Sequence, residues 1–216
     1  MNAAAPALAG KNTLHVVFFP RGKRLRSLTA VANMPPMNHF NFTQQFREIY
    51  DRALALYAEG RRGAETYFTP EETAFLTANG ITAQHIYDYV EDQHNEGVPG
   101  YDTALSIEII RRDYFLNVQN GQWTGKKEDP ETWPAKTEEL AGIVWLPRIL
   151  RKVRAKLRGE LPDSAMFCCG GDRRFFRAND IHPSEFINLA WRAGDNDQPI
   201  IDFVVARAEG TVSPSV

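Results

Sequence analysis

The stretch FFRANDIHPSEF, Phe175–Phe186, has an echo one hundred positions earlier in FLTANGITAQHI, Phe75–Ile86. Each reads as the end of a short helix, a tight turn and a capped helix that restarts. Phe75 and Phe175 fall on the inward face. Asn79 and Asn179 suit the left-handed end of a helix, and Ile81 and Ile181 are placed to pack beneath the turn as hydrophobic staples. Across Phe75–Glu91 and Phe175–Trp191, four of seventeen positions are identical, and four more pair large apolar or aromatic side chains.

Working outward, the punctuation on both sides of the echo matches as well. TQQFREIYDRALALYAEG places Phe46, Ile49, Tyr50, Ala53, Leu54 and Tyr57 at spacings of three and four, which predicts an amphipathic helix over 43–59. FTPEETAF has Thr69 as a cap, Pro70 at the first helical position and Glu72 three after the cap, a capping box. Thr82 starts a third helix, and Asp102 or Thr103 a fourth. Later, LPRILRKVRAKLRGE is a long helix with Ile149, Leu150, Val153 and Leu157 inward. GGDRRFFRAND is a short one, His182 caps the next, and DNDQPIIDFVVARA is the last. No strand signal of any length is present, the N-terminal extension aside. The expectation is an all-α protein of two tandem related four-helix units, 43–116 and 138–208, joined by a linker at 117–137. Residues 209–216 read as a flexible tail.

Residues 1–42 carry five basic side chains and no acidic one, with no sustained period. They read as a disordered basic extension. A transit peptide has the same lack of acids, and Met34 and Met37 offer alternative starts. The net charge of −2 conceals a polarity: 43–116 sum to −7 and 145–192 to +5. No apolar run approaches the length of a membrane span, so no membrane partner is expected. Cys168 and Cys169 are the only cysteines and are adjacent, a spacing that rarely bridges. Free thiols fit a reducing cytoplasm.

The segments LPR at 146–148, KVRAKLRGE at 152–160, CGGDRRF at 169–175 and DNDQPIIDFV at 195–204 resemble a bacterial family catalogued as domain of unknown function 5069. The resemblance covers the last third of the chain, and 43–116 would be a diverged copy lacking the cysteine. It implies a small helical domain and carries no activity, substrate or catalytic residue with it.

Chemistry has three candidate seats. Cys169 falls opposite Thr69, at the start of a helix, where the free amides favour a thiolate. Arg173 and Arg174 lie one turn on, so the three together suit a thiol enzyme or redox sensor, while Asp172 works against the thiolate. Arg148, Arg151, Lys152, Arg154, Lys156 and Arg158 surround the apolar stripe of one helix, which suits nucleic acid or, more readily, the acidic first unit. Trp123 and Trp133, in a polar linker, read as pins that bury a ring or as the lining of a groove between the units. The five histidines show no ligand spacing, so no metal and no cofactor is expected. The leading expectation is a non-catalytic binding or scaffold module with its site between the two units, with a protein as one possible partner.

Overall fold

A computed structural model describes residues 39–210, all of them within one compact unit. The expected extension therefore falls almost wholly outside the described residues, as does all of the tail beyond Gly210. Eight α-helices follow in order: α1 Phe42–Ala58, α2 Pro70–Ala78, α3 Ala83–Glu96, α4 Tyr101–Asn117, α5 Leu146–Arg158, α6 Gly170–Ala178, α7 Pro183–Ala193 and α8 Gln198–Ala208. Two single turns of 3-10 helix, Ala64–Thr66 and Pro130–Thr132, sit in the connections. The molecule is mostly helical, and among the described residues no helix is long and apolar enough to cross a membrane.

The start signals act as their chemistry dictates. Thr69 accepts from the Glu72 amide at 3.3 Å while Glu72 accepts from the Thr69 amide at 2.8 Å, closing the capping box. Thr82 accepts from the His85 amide, and the His182 ring from the Ser184 amide. The fourth helix departs from expectation: it begins at Tyr101 behind Gly100, ahead of Asp102.

The segment before Pro147 also departs from a purely helical reading. Glu139–Leu140 and Ile143–Val144 form a two-stranded antiparallel hairpin, with Glu139 opposite Val144 and Leu140 opposite Ile143. Its turn residues, Ala141 and Gly142, have φ of 52° and 76°. Positive φ at both central positions matches the right-handed twist of a two-residue hairpin. The hairpin delivers Trp145, and α5 starts one residue later.

Two apolar clusters hold the fold. One gathers Phe46, Ile49, Tyr50, Leu76, Ile86 and Tyr89 from α1 to α3, and the other gathers Leu146, Ile149, Val153, Phe176, Phe186 and Val204 from α5 to α8. Each fully buried large apolar side chain contributes roughly 1.5–3 kcal/mol. α4 belongs to both clusters. Ala104 packs with Leu105 and Ile109 on the first, and Ile107 with Ile110 and Tyr114 on the second. The neighbours Ile109 and Ile110 thus pack against different clusters, and the helix lies between the two.

Charges are buried along the same seam. Lys156 on α5 and Glu108 on α4 form an ion pair with side-chain exposures of 2% and 0%. Glu108 also accepts from Tyr89 Oη at 2.9 Å, and His85 Nδ1 lies 3.0 Å from Lys156 Nζ. Burial pushes Lys156 down against the pull of Glu108, and holds His85 well below its ordinary value. A buried pair of this kind adds little net stability, but losing one partner is costly. α5 ends at Gly159, with φ 72°, and the Glu160 amide reaches back to Ala155 O at 2.8 Å, a Schellman closure. A Cβ on Gly159 would stand 2.5 Å from Arg111 Nη2 and 2.8 Å from the Trp123 ring.

Candidate functional site

A cleft of about 410 Å³ opens between α3 and the corner formed by α5 and α6. That is within the range of small-molecule sites. Asp88, Glu91 and Asp92 line it from α3, at spacings that set them on one helical face. Trp133 and Lys136 line it from the connection, Trp145, Arg148 and Lys152 from the start of α5, and Cys169, Gly170, Gly171 and Arg174 from the start of α6.

Asp172 organises the basic wall. It is fully buried and accepts from Lys152 Nζ at 2.8 and 3.0 Å, from Trp145 Nε1 at 3.0 Å and from the Cys168 amide at 2.9 Å. One carboxylate thus ties α5, the hairpin exit and the 168–169 loop together. Trp145 is held against Gly171 so closely that a Cβ there would come within 2.5 Å of the indole. Glycine is what lets the ring form that wall.

The adjacent cysteines point to different surroundings. Cys168, with φ 74°, is fully buried, and burial, helped by the nearby Asp172 charge, pushes its thiol up to about 12. Cys169 is partly exposed in the cleft, with the Lys152 ammonium 3.3 Å from its Sγ. Cys169 is also the N-cap of α6 and makes no side-chain capping bond. At the matching point of α2, Thr69 and Glu72 close the helix with their own side chains. The corresponding Asp172 is turned to Lys152 and Trp145, so the first turn of α6 faces the cleft uncapped by any side chain.

Charge in the cleft is divided by wall. Lys136 and Arg174 are exposed and pair with no carboxylate among the described residues. Arg148 donates to Pro134 O at 2.8 Å, and its guanidinium sits 5.2 Å from the centre of the Trp133 ring. Across from them, Glu91 accepts from Tyr57 Oη at 3.0 Å and Asp92 from Arg173 at 2.6 Å. Asp88 accepts from Gln84 Nε2 at 2.6 Å, and among the described residues no cation pairs with it. Burial, reinforced by Glu91 and Asp92, pushes its carboxyl up to about 7, against the Gln84 bond and Lys156.

The cleft therefore collects Cys169, Arg174, Trp133, Arg148 and Lys152 from the residues singled out in the sequence. The others lie elsewhere. Arg173 leaves Cys169 and pairs with Asp92 and Glu96 at 2.6 and 2.7 Å, lining a smaller cavity beside Phe176 and Ile181. Trp123 packs on Phe115 and Arg111 and donates to Thr77 O, pinning the connection outside the cleft. The basic face of α5 is largely partnered. Lys152 and Lys156 are buried in ion pairs, Arg151 meets Glu128 at 3.2 Å, Arg154 meets Asp197 and Arg158 meets Asp195. Among the described residues no group of three His, Cys, Asp or Glu is arranged to hold a metal ion.

Asp88, Lys136 and Trp145 went unread as site residues, and Lys152 was read only as part of a basic face, not as a partner of Asp172. One signal was available for Lys152. It stands twenty residues before Asp172, as Arg52 stands twenty before Glu72, and both pairs meet as ion pairs.

Residues 132–214 match the family model described as Domain of unknown function (DUF5069). The match takes in the whole basic wall, from Trp133 to Arg174, while the acidic wall on α3 precedes it. No curated protein and no solved structure matches the chain.

Proposed function

We propose that the protein is a binding module built from two copies of one four-helix unit, and that the cleft between them takes a small organic anion. The duplication rests on a register of one hundred residues. Buried positions recur at that offset: Phe46 and Leu146, Ile49 and Ile149, Tyr67 and Phe167, Leu76 and Phe176, Ile86 and Phe186, Ala104 and Val204. Asn79 Nδ2 donates to Phe75 O and Asn179 Nδ2 to Phe175 O, each at 2.8 Å. The Ile81 and Ile181 amides reach Leu76 O and Phe176 O, each at 2.9 Å.

The observation that carries the binding reading is the asymmetry between the two copies. The first closes α2 with Thr69 and Glu72. The second leaves α6 uncapped at a cleft whose rim holds Lys136, Arg148 and Arg174, none with a carboxylate partner among the described residues. An uncapped helix start and unpaired cations are complementary to negative charge. The geometry favours this reading over nucleic acid, because most α5 cations are already engaged within the chain, and phosphate contacts need free ones.

A thermal-shift panel of carboxylates and phosphate monoesters tests it. A ligand that binds only the folded form raises Tm with concentration. Panel members such as citrate should stabilise the wild type and lose that effect in Arg148→Gln and Arg174→Gln. A flat response across the panel would overturn the reading.

A further inference from the structure

Resting on that reading of the cleft, we infer that Cys169 is a thiolation site: it exchanges with a small disulfide carrying carboxylate and ammonium groups, and retains half of it as a mixed disulfide. Three features of one cavity meet that chemistry. The cleft contains a partly exposed thiol, Cys169. A fixed donor, Lys152 Nζ, stands 3.3 Å from the sulfur, and its own position is set from behind by the fully buried Asp172. The walls supply both signs of charge, Arg148 and Arg174 for a carboxylate and Glu91 for an ammonium. A ligand that satisfies all three is an amino-acid or short-peptide thiol in its oxidised form.

The exchange balances without any other reagent. Cys169 Sγ attacks one sulfur of the disulfide. The S–S bond of the reagent breaks as the bond to Cys169 forms, and the Cys169 proton leaves with the released thiol. One disulfide is consumed and one is made. Lys152 is placed to donate to the sulfurs while charge passes between them. Cys168 does not resolve the adduct, since it is sealed in the core and adjacent cysteines bridge only under strain. The adduct therefore persists until an outside thiol removes it.

The test follows the reduced protein with glutathione disulfide, cystamine and bis(2-hydroxyethyl) disulfide, using peptide mass mapping and dividing each rate by that reagent's rate with free cysteine. One adduct on Cys169 is expected. Glutathione disulfide should lead the neutral reagent by about tenfold, the worth of one charge-assisted contact. The double variant Arg148→Gln/Arg174→Gln should lose the lead. Equal normalised rates, or an adduct on Cys168, would overturn thiolation. S-methylglutathione, which cannot exchange, is titrated by calorimetry into Cys169→Ser after its melt confirms folding. If it binds while the rates show no preference, thiolation falls and the binding cleft stands. If it fails to bind and the rates show no preference, both fall.

Discussion

Lys152 Nζ lies 2.8 Å from Asp172 Oδ2 with both side chains out of solvent, whereas Arg52 and Glu72, one hundred positions earlier, meet with 38% and 22% of their side chains exposed. The link between a long helix and a short one is thus buried at α5 and α6 and wet at α1 and α2, and Lys152 of the buried pair lines the cleft.

The two pairs should respond very differently to mutation. Asp172→Asn leaves a buried ammonium without its counter-charge, a loss of about 3–5 kcal/mol for a pair of this kind. Glu72→Gln removes a solvent-screened pair worth about 1 kcal/mol or less. Urea denaturation of the two variants measures the contrast, and near-equal losses would contradict it.

The two asparagines at the corners are also separable. Asn179→Ala removes its 2.8 Å bond to Phe175 O, at about 1 kcal/mol. Asn79→Ala should cost more, because Asn79 Oδ1 also accepts from the buried Arg112 Nε at 2.6 Å. A bond to a charged group contributes about 1.5–3 kcal/mol. Thermal melts of the single variants rank them.

Asp88 makes stability depend on pH. Its carboxyl lies at about 7 in the fold against an ordinary 3.8. The folded chain therefore holds this proton where the unfolded chain has released it. The contribution is full below about 4 and is lost as pH rises through about 7. Asp88→Asn should be near neutral at pH 4 and stabilising relative to wild type at pH 8. Chemical denaturation at both values reads the difference, and the opposite sign would remove the argument.

Alkylation separates the cysteines. Cys168 is fully buried with its thiol pushed up to about 12, so it should resist iodoacetamide in the native protein at pH 8, while Cys169 is modified. Both should react in denaturant. Peptide mapping under the two conditions gives the answer.

The helices were legible because their signals are local. The three- and four-residue spacing of Phe46, Ile49, Tyr50 and Ala53, and the capping set of Thr69, Pro70 and Glu72, are written within a few residues of where they act. The hairpin at Glu139–Val144 was missed because two residues per strand are too few for an alternating pattern, and its Ala-Gly turn lacks the usual Asn-Gly signal. Lys152 and Lys156 read as part of a basic face suited to nucleic acid or to the acidic first unit, since a side chain's type does not name its particular partner twenty or forty-eight residues away. Asp88 was silent for a similar reason. Its raised carboxyl comes from burial by the rest of the fold, and nothing in YDYVED marks it. Cys169 and Arg174, singled out from a helix start alone, both line the cleft, whereas Arg173, one position round the helix, turns to Asp92 and Glu96.

The central claim is that an anion sits at the open start of α6. Amide chemical shifts recorded while citrate is titrated into the full chain test it most directly. The account predicts saturable shifts of the Gly170 and Gly171 amides together with the Trp145 indole, and their loss in Arg174→Gln. Saturable shifts confined to the cavity beside Trp191 and Arg158, or no saturable shift at all, would contradict it.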